Sequence, residues 1–342
     1  MNERSENIPA LTKEDFKVED PVKWCSGCGG HSVLSTVQNA LPEIGIEKEK
    51  IVFVSGIGCS SRFPYYINTY GFHGLHGRAV PVASGLKVSN PELSVWVVTG
   101  DGDLMAIGGN HFIHVVRRNI DLNILLFNNM IYGLTKGQYS PTTPKGGITK
   151  TSPEGTIENP VKPGELTIGA EGTFFARGVD TDPKMMKEIL IRAARHKGTS
   201  VVEVLQNCII FANQVHAEIT GKDVREDNQL LLEHGKPMIF GKNRNKGIVL
   251  ENAKLKVVKI GENGYTQEDL LVHNVELIDP TIHYMIARMT LPDFPVAMGV
   301  IRACKCPTYE SLLYDQISAA KKVSNLKTVN DLLSSGNVFE VK

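Results

Sequence analysis

Ser94 to Thr99 (Ser-Val-Trp-Val-Val-Thr) is a short, β-branched apolar run that ends directly in Gly100-Asp101-Gly102-Asp103. A run of this kind, closed by glycine, reads as a parallel strand buried on both faces. Leu104 to Asn119 follows with helical periodicity through Leu104, Ile107, His111, Ile113, Val115 and Val116. It closes on Arg117-Arg118, cations that suit the carboxyl end of a helix. Leu122 to Phe127 is a second buried strand, and Asn128-Asn129 comes straight after it. Strand, helix and strand make one βαβ unit. Asp101 and Asn128-Asn129 therefore both emerge at the carboxyl ends of parallel strands, the edge at which open α/β sheets bind ligands.

A carboxylate beside neutral amide oxygens makes a hard, all-oxygen site suited to Mg²⁺, which usually takes further ligands from phosphate oxygens. The adjoining glycines let the backbone come close to a diphosphate. Taken singly, Gly-Asp-Gly and Asn-Asn are ordinary turns. Their placement after two strands, with Ile131-Tyr132-Gly133 continuing beyond, is what points to a ligand. Gly108-Gly109 falls inside the expected helix at a cost in stability, which marks close packing on the sheet or on a ligand.

The cysteines carry a second signal. Trp24-Cys25-Ser26-Gly27-Cys28-Gly29-Gly30 is a Cys-x-x-Cys among glycines that free backbone amides to point at sulfur. Gly56-Ile57-Gly58-Cys59-Ser60-Ser61 repeats that chemistry after a strand over Ile51 to Val54. Soft thiolates so spaced select zinc or iron–sulfur rather than Mg²⁺, and a redox pair is the third reading of a bare Cys-x-x-Cys. Cys208 ends another apolar strand and can meet Cys59 at the same sheet edge, so Cys25, Cys28, Cys59 and Cys208 suffice for a four-iron cube. Cys304 and Cys306 form a Cys-x-Cys pair with the wrong bite for a single cluster, and they read as incidental.

Together these residues resemble a known family. Trp-Cys-x-Gly-Cys-Gly, Gly-Ile-Gly-Cys-Ser-Ser-Arg, Gly-Phe-His-Gly-Leu-His-Gly-Arg-Ala-Val-Pro (71 to 81), Gly-Asp-Gly-Asp and Ile-Tyr-Gly-Leu-Thr-Lys-Gly-Gln-Tyr-Ser-Pro-Thr (131 to 142) look like the β subunit of 2-oxoacid:ferredoxin oxidoreductases. The likeness runs from about residue 21 to residue 216. It implies an α/β fold, the doubly wound parallel sheet, flanked by helices, that binds the diphosphate end of thiamine diphosphate, with a C-terminal extension. It also implies a [4Fe-4S] cluster on the four cysteines, with Asp101, Asn129 and the Ile131 carbonyl as Mg²⁺ ligands. Ile57, Gly58, Cys59, Ser60, His76, Gly102, Asp103, Gly133 and Leu134 would line the cofactor, Leu134 as an apolar wedge. The implied reaction is CoA-dependent oxidative decarboxylation of a 2-oxoacid, with electrons passing to ferredoxin, and possible reversal as a carboxylation. Lys136 and Arg62 are cations placed to meet the distal carboxylate of a dicarboxylic substrate, which favours 2-oxoglutarate over pyruvate. A non-oxidative thiamine-dependent decarboxylase subunit and a zinc-stapled binding protein are the rival classes.

The organisation read from the sequence is a polar arm over 1–20, a cofactor domain over 21–216, and an extension over 217–342 that packs on the core and on a partner. No second doubly wound series follows residue 216. A second domain, with the catalytic glutamate that thiamine enzymes use, must then come from another polypeptide. The resemblance implies a larger α subunit supplying the pyrimidine-binding domain, commonly as (αβ)₂, and the alternative is a self-sufficient homodimer using an acid such as Glu171, Glu203 or Glu218. Formal net charge is zero, and no basic stripe or aromatic platform argues for nucleic acid. No apolar run approaches membrane-spanning length, and six cysteines in metal-like spacing fit a reducing, cytoplasmic compartment. The Pro-, Gly- and Thr-rich segment 140–167 reads as a functional loop without regular structure. Beyond it, 183–196 reads as a helix, 200–206 as a strand, Glu218 to His234 as a helix, 237–260 as strand and turn with a basic loop at 241–247, and 308–323 as a helix. His111 and His114 read as helix-surface or packing residues, His73 and His76 as neighbours of the cofactor or substrate, and His31 as a helix-start residue beside the cysteines.

Overall fold

The structure, a computed structural model, describes residues 11–339 and 341. Eight strands form its main sheet: β1 (Ile51–Ser55), β2 (Tyr70–His73), β3 (Ser94–Gly100), β4 (Asn123–Asn128), β5 (Phe174–Val179), β6 (Ser200–Leu205), β7 (Gln229–Leu231) and β8 (Val296–Ala303). In space they run β2-β1-β3-β4-β6-β5-β8-β7. From β2 to β5 in that order every pairing is parallel. Only then does the direction change, as β8 joins β5 antiparallel and β7 joins β8 parallel.

The apolar runs give this sheet two buried faces because successive strand residues point to opposite sides. Val95, Val97, Ile124 and Leu126 enter one core, while Trp96, Val98, Leu125 and Phe127 enter the other. Six helices near the sheet are α1 (Gly30–Ile44), α2 (Ala79–Ser89), α3 (Asp101–Met105), α4 (Gly109–Arg118), α5 (Pro163–Gly169) and α6 (Pro183–Arg195). Helices α2, α4 and α5 cover the first face, and α1 and α6 cover the second. Phe53 is fully buried on the α1 and α6 side, a burial that contributes on the order of 1.5–3 kcal/mol.

Three expectations are corrected. The helix over 104–119 is two helices: at Ala106 the backbone leaves the helical region (φ −88°, ψ −109°) and α4 restarts from Gly108. A Cβ on Gly108 would lie 2.5 Å from the Asp103 carbonyl oxygen, so this glycine serves the close approach of α4 to the backbone of α3. Glu218 to His234 is not one helix. Ala217–Thr220 and Arg225–Asn228 are single turns, and β7 follows with Leu230 buried, Leu231 exposed and Leu232 buried. That alternation is a strand period, masked in the sequence by three consecutive leucines. The loop after β4 is irregular only as far as Lys162, where Pro163 opens α5 with its fixed φ.

The residues after 217 lend β7 and β8 to the main sheet and build a small antiparallel sheet from Ile239–Phe240, Lys246–Glu251 and Lys254–Lys259. The helix Tyr309–Val323 lies outside, with Glu310 its buried residue. Among the described residues no helix is long and apolar enough to cross a membrane.

Candidate active site

The chain leaves β1 toward β2 on one side, and from β3 it proceeds to β4 on the other. Such a reversal of strand order opens a crevice at the carboxyl ends of the strands. A cleft of about 590 Å³ lies there, walled by the turns after β1, β3 and β4 and by His76. Every residue expected to line the cofactor is on this wall, as are Asp101, Asn129 and Ile131.

Asp103 holds the wall together. Its Oδ1 accepts from the Ile57 and Gly77 amides at 3.1 and 2.7 Å and meets His76 Nδ1 at 2.7 Å, while Oδ2 accepts from Thr99 Oγ1 at 2.9 Å. The Asp103 carboxylate is thereby spent on fixing two turns, the end of β3 and the His76 ring. It lines the cleft without being free to bind a ligand.

Asp101 is 2% exposed, and both hydroxyls that reach it, Ser140 Oγ and Thr142 Oγ1, donate to Oδ2 at 2.5 and 2.6 Å. Burial pushes its pKa up, and the two hydroxyls pull it back. No Lys or Arg pairs with it among the described residues. Asn129 lines the same wall, with Nδ2 donating to Gln206 Oε1 at 3.0 Å, and Ile131 lies beside it, its amide donating to Asn129 Oδ1 at 3.3 Å. A buried carboxylate without a cation, flanked by amide and carbonyl oxygens, fits a divalent ion of the Mg²⁺ type. Asn128 is turned away from the cleft, its Nδ2 donating to Glu203 Oε1 at 2.8 Å.

Tyr132 was not singled out from the sequence. Its hydroxyl donates to the Gly102 carbonyl at 2.9 Å, and a Cβ on Gly102 would lie 2.2 Å from its ring. Burial raises its pKa, with Asp101 and Asp103 adding to the shift. Ser140 and Thr142 were also missed. The signal available was a run of small hydroxylic residues at the start of a long loop that directly follows the second strand motif.

The four expected cysteines are near one another at the same wall, with Cys59 on the cleft itself. Gly133, also on the cleft wall, lies beside two of them: a Cβ there would sit 3.4 Å from Cys208 Sγ and 3.8 Å from Cys59 Sγ. Burial pushes the Cys59 thiol up to about 11, and Cys28, Cys208 and Cys25 add repulsion to its thiolate. Burial raises Cys28 likewise, with Cys208 and Cys25 contributing. Thiols that repel one another when ionised need a cationic centre to be held as thiolates. Gln206 Nε2 donates to Cys28 Sγ at 3.3 Å, Trp24 Nε1 donates to the Cys59 carbonyl at 2.6 Å, and His31 Nε2 meets the Cys25 carbonyl at 3.2 Å, so the surrounding shell orients the turns. No three His, Cys, Asp or Glu side chains among the described residues converge as chelators of one ion. A four-iron cube takes one sulfur per iron and does not gather its thiolates on a single atom. Cys304 is fully buried and Cys306 exposed, and neither lies on the cleft wall.

Arg62 and Lys136 are not on the cleft wall. Arg62 Nε donates to Tyr66 Oη at 2.7 Å, and Lys136 lines a neighbouring pocket with Phe211. Leu134 is on the wall and 49% exposed. His73 packs its ring near Tyr65, outside the cleft.

The geometry can be set beside known proteins. Residues 56–204 match the family model described as thiamine pyrophosphate enzyme, C-terminal TPP binding domain. The chain is 44% identical over 312 residues to the 2-oxoglutarate oxidoreductase subunit KorB of Mycobacterium tuberculosis, covering 91% of this chain and 83% of that protein. It is 45% identical over 199 residues to the β subunit of 2-oxoacid:ferredoxin oxidoreductase 2 of Aeropyrum pernix, covering 58% of this chain and 64% of the relative. A solved 2-oxoglutarate:ferredoxin oxidoreductase from Magnetococcus marinus, with 2-oxoglutarate, coenzyme A and succinyl-CoA bound, superposes with a TM-score of 0.76 at 30% identity over 98% of each chain.

Proposed function

The chain belongs to the β subunits of the 2-oxoacid:ferredoxin oxidoreductases, and we propose that it works with a larger α subunit in the CoA-dependent oxidative decarboxylation of 2-oxoglutarate to succinyl-CoA, with ferredoxin as electron acceptor. The observation that carries this reading is the shared wall. Cys59 lines the cleft itself, and the Gly133 backbone, also on its wall, lies beside the Cys208 and Cys59 sulfurs. Thiamine diphosphate supplies an electron sink for loss of CO₂ from a 2-oxoacid, and a [4Fe-4S] cluster accepts electrons singly.

The chain's own residues then have separable tasks. Asp101, Asn129 and the Ile131 carbonyl would hold Mg²⁺, and Cys25, Cys28, Cys59 and Cys208 would hold the cluster. Asp103 fixes His76 at the cleft mouth. Leu134 offers an apolar surface to the cofactor. The catalytic glutamate is assigned to the partner, in an (αβ)₂ assembly. All six cysteines are free, which supports a reducing, cytoplasmic setting.

Support for 2-oxoglutarate comes from the names of the Mycobacterium relative and the Magnetococcus structure. Lys136 stands three residues past Gly133, and Arg62 three past Cys59. Neither lies on the cleft wall, and in the proposed reading one of them swings in from its flanking loop to meet the second carboxylate. The test is to co-express the chain with its α subunit and measure CoA-dependent ferredoxin reduction on 2-oxoglutarate and on pyruvate, native and Lys136→Ala. The variant is expected to lose far more kcat/KM on 2-oxoglutarate than on pyruvate. Equal losses remove Lys136 from substrate choice, and a complex that lacks iron and releases an aldehyde without CoA is a non-oxidative decarboxylase.

A further inference from the structure

Behind β4, on the side away from the cofactor cleft, lies a second cavity of about 270 Å³. Asn128 and Thr142 form the partition between the two. At its floor is Arg177, 7% exposed, which is an expensive place for a guanidinium. Its Nε donates to Glu203 Oε2 at 2.7 Å and its Nη1 to the Ala297 carbonyl at 3.3 Å. Its third nitrogen, Nη2, has no acceptor among the described residues. Glu203 is itself shared, because its other oxygen accepts from Asn128 Nδ2 at 2.8 Å.

The mouth carries two more cations, Lys162 and Arg288, on the same wall. Both lean on one carboxylate, Glu165, at 3.3 and 3.6 Å. Three cations therefore face two carboxylates around this cavity, and the excess positive charge is spread from a buried donor to an exposed rim. A polar floor with a free N–H pair and a basic mouth suits an elongated anion with a charge at each end.

We propose that this cavity is a second binding site, for a small dicarboxylate, with one carboxylate on Arg177 Nη2 and the other between Lys162 and Arg288. The site goes beyond the activity proposed above and needs neither thiamine nor metal. It is not isolated, since Arg177, Glu203 and Asn128 are joined by hydrogen bonds, and the one hydroxyl proton of Thr142 lies within reach of both Asn128 Oδ1 and Asp101 Oδ2.

The probe is succinate, titrated calorimetrically into the full chain free of thiamine diphosphate and Mg²⁺, with butyrate as the one-carboxylate match of equal length. Succinate is expected to bind at least about tenfold more tightly than butyrate, the factor corresponding to one charge-assisted contact. Arg288→Ala is expected to remove most of that preference while leaving butyrate unchanged. Thr290→Trp, at the exposed rim, is expected to block both ligands without disturbing the core. Succinate binding that survives Thr290→Trp unchanged belongs to the cofactor cleft and overturns the proposal, as does equal affinity for succinate and butyrate in the native chain.

Discussion

Replacing Asp101 by Asn is expected to separate the stability of the metal-free chain from its affinity for magnesium. Asn keeps the shape of the side chain and leaves an oxygen for Ser140 and Thr142, so the loop over 140–143 retains its anchor. Hydrogen bonds to an ionised acceptor are worth about 1.5–3 kcal/mol against about 1 for a neutral one, so the two weakened bonds cost about 1–4 kcal/mol together. Removing a desolvated charge gives back an amount of similar size. Metal-free stability near neutral pH should therefore change by no more than about 1 kcal/mol. Magnesium would lose the one full charge in the site proposed for it. Since even outer-shell partners of a metal are worth 10- to 100-fold, the loss of affinity should be at least about 100-fold.

The pH dependence has a definite sign. Burial raises the Asp101 pKa in the folded chain, so the folded state keeps this proton to higher pH than the unfolded state does. Its contribution to stability is complete below the unfolded value of about 3.9 and is lost as pH rises through the raised one. Without metal, the native chain should lose stability relative to Asp101→Asn as pH rises from about 4, and magnesium with thiamine diphosphate should reverse that trend. Urea denaturation at a series of pH values measures the first effect, and quenching of tryptophan fluorescence by thiamine diphosphate, with and without magnesium, measures the second. Binding retained within about threefold would remove Asp101 from the metal site. A metal-free loss above about 3 kcal/mol would make the carboxylate a structural anchor.

Cys208→Ala is expected to strip or degrade the cluster, read as iron per chain and by EPR. Cys306→Ala should leave both unchanged, and Cys304→Ala should leave the iron unchanged while costing about 1 kcal/mol of stability for its buried thiol. Gly102→Ala places a methyl 2.2 Å from the Tyr132 ring. It is expected to cost about 1–3 kcal/mol and to weaken thiamine diphosphate binding as the ring is forced into the cleft, with unfolding and quenching as the assays. The chain expressed without its partner should bind a cluster yet show no CoA-dependent decarboxylation, and turnover by the single chain would locate the missing glutamate within it.

Much of this was legible in the sequence because strands buried on both faces announce themselves as apolar runs. Val95 to Val98 and Ile124 to Phe127 could be little else, and once they were parallel, Asp101 and Asn129 had to open on one crevice. The break at Ala106 was not legible, because Leu104 to Val116 keeps a helical period across it. What decides the break is the close approach of Gly108 to the Asp103 carbonyl, a tertiary contact. β7 was hidden for the opposite reason, since Leu230-Leu231-Leu232 carries no period until a neighbour, β8, buries alternate side chains. Ser140 and Thr142 escaped because a hydroxyl in a loop has no direction until Asp101 gives it one.

Two glycines that looked like turn formers have a different meaning in three dimensions. Gly102 is held small by the Tyr132 ring, which closes the floor of the cleft, and the backbone of Gly133 lies so near the cluster that an added Cβ would touch both Cys59 and Cys208 sulfurs. Loops 131–135 and 57–60 each contribute to the cleft on one side and to the thiol cluster on the other. The two cofactor sites could not be moved apart without rebuilding both loops. A chain that needed only a zinc staple, or only thiamine chemistry, would have no use for putting the thiols and the cleft on the same two loops. The loops shared by the cleft and the thiols are therefore the physical reason for proposing the two motifs as parts of one site.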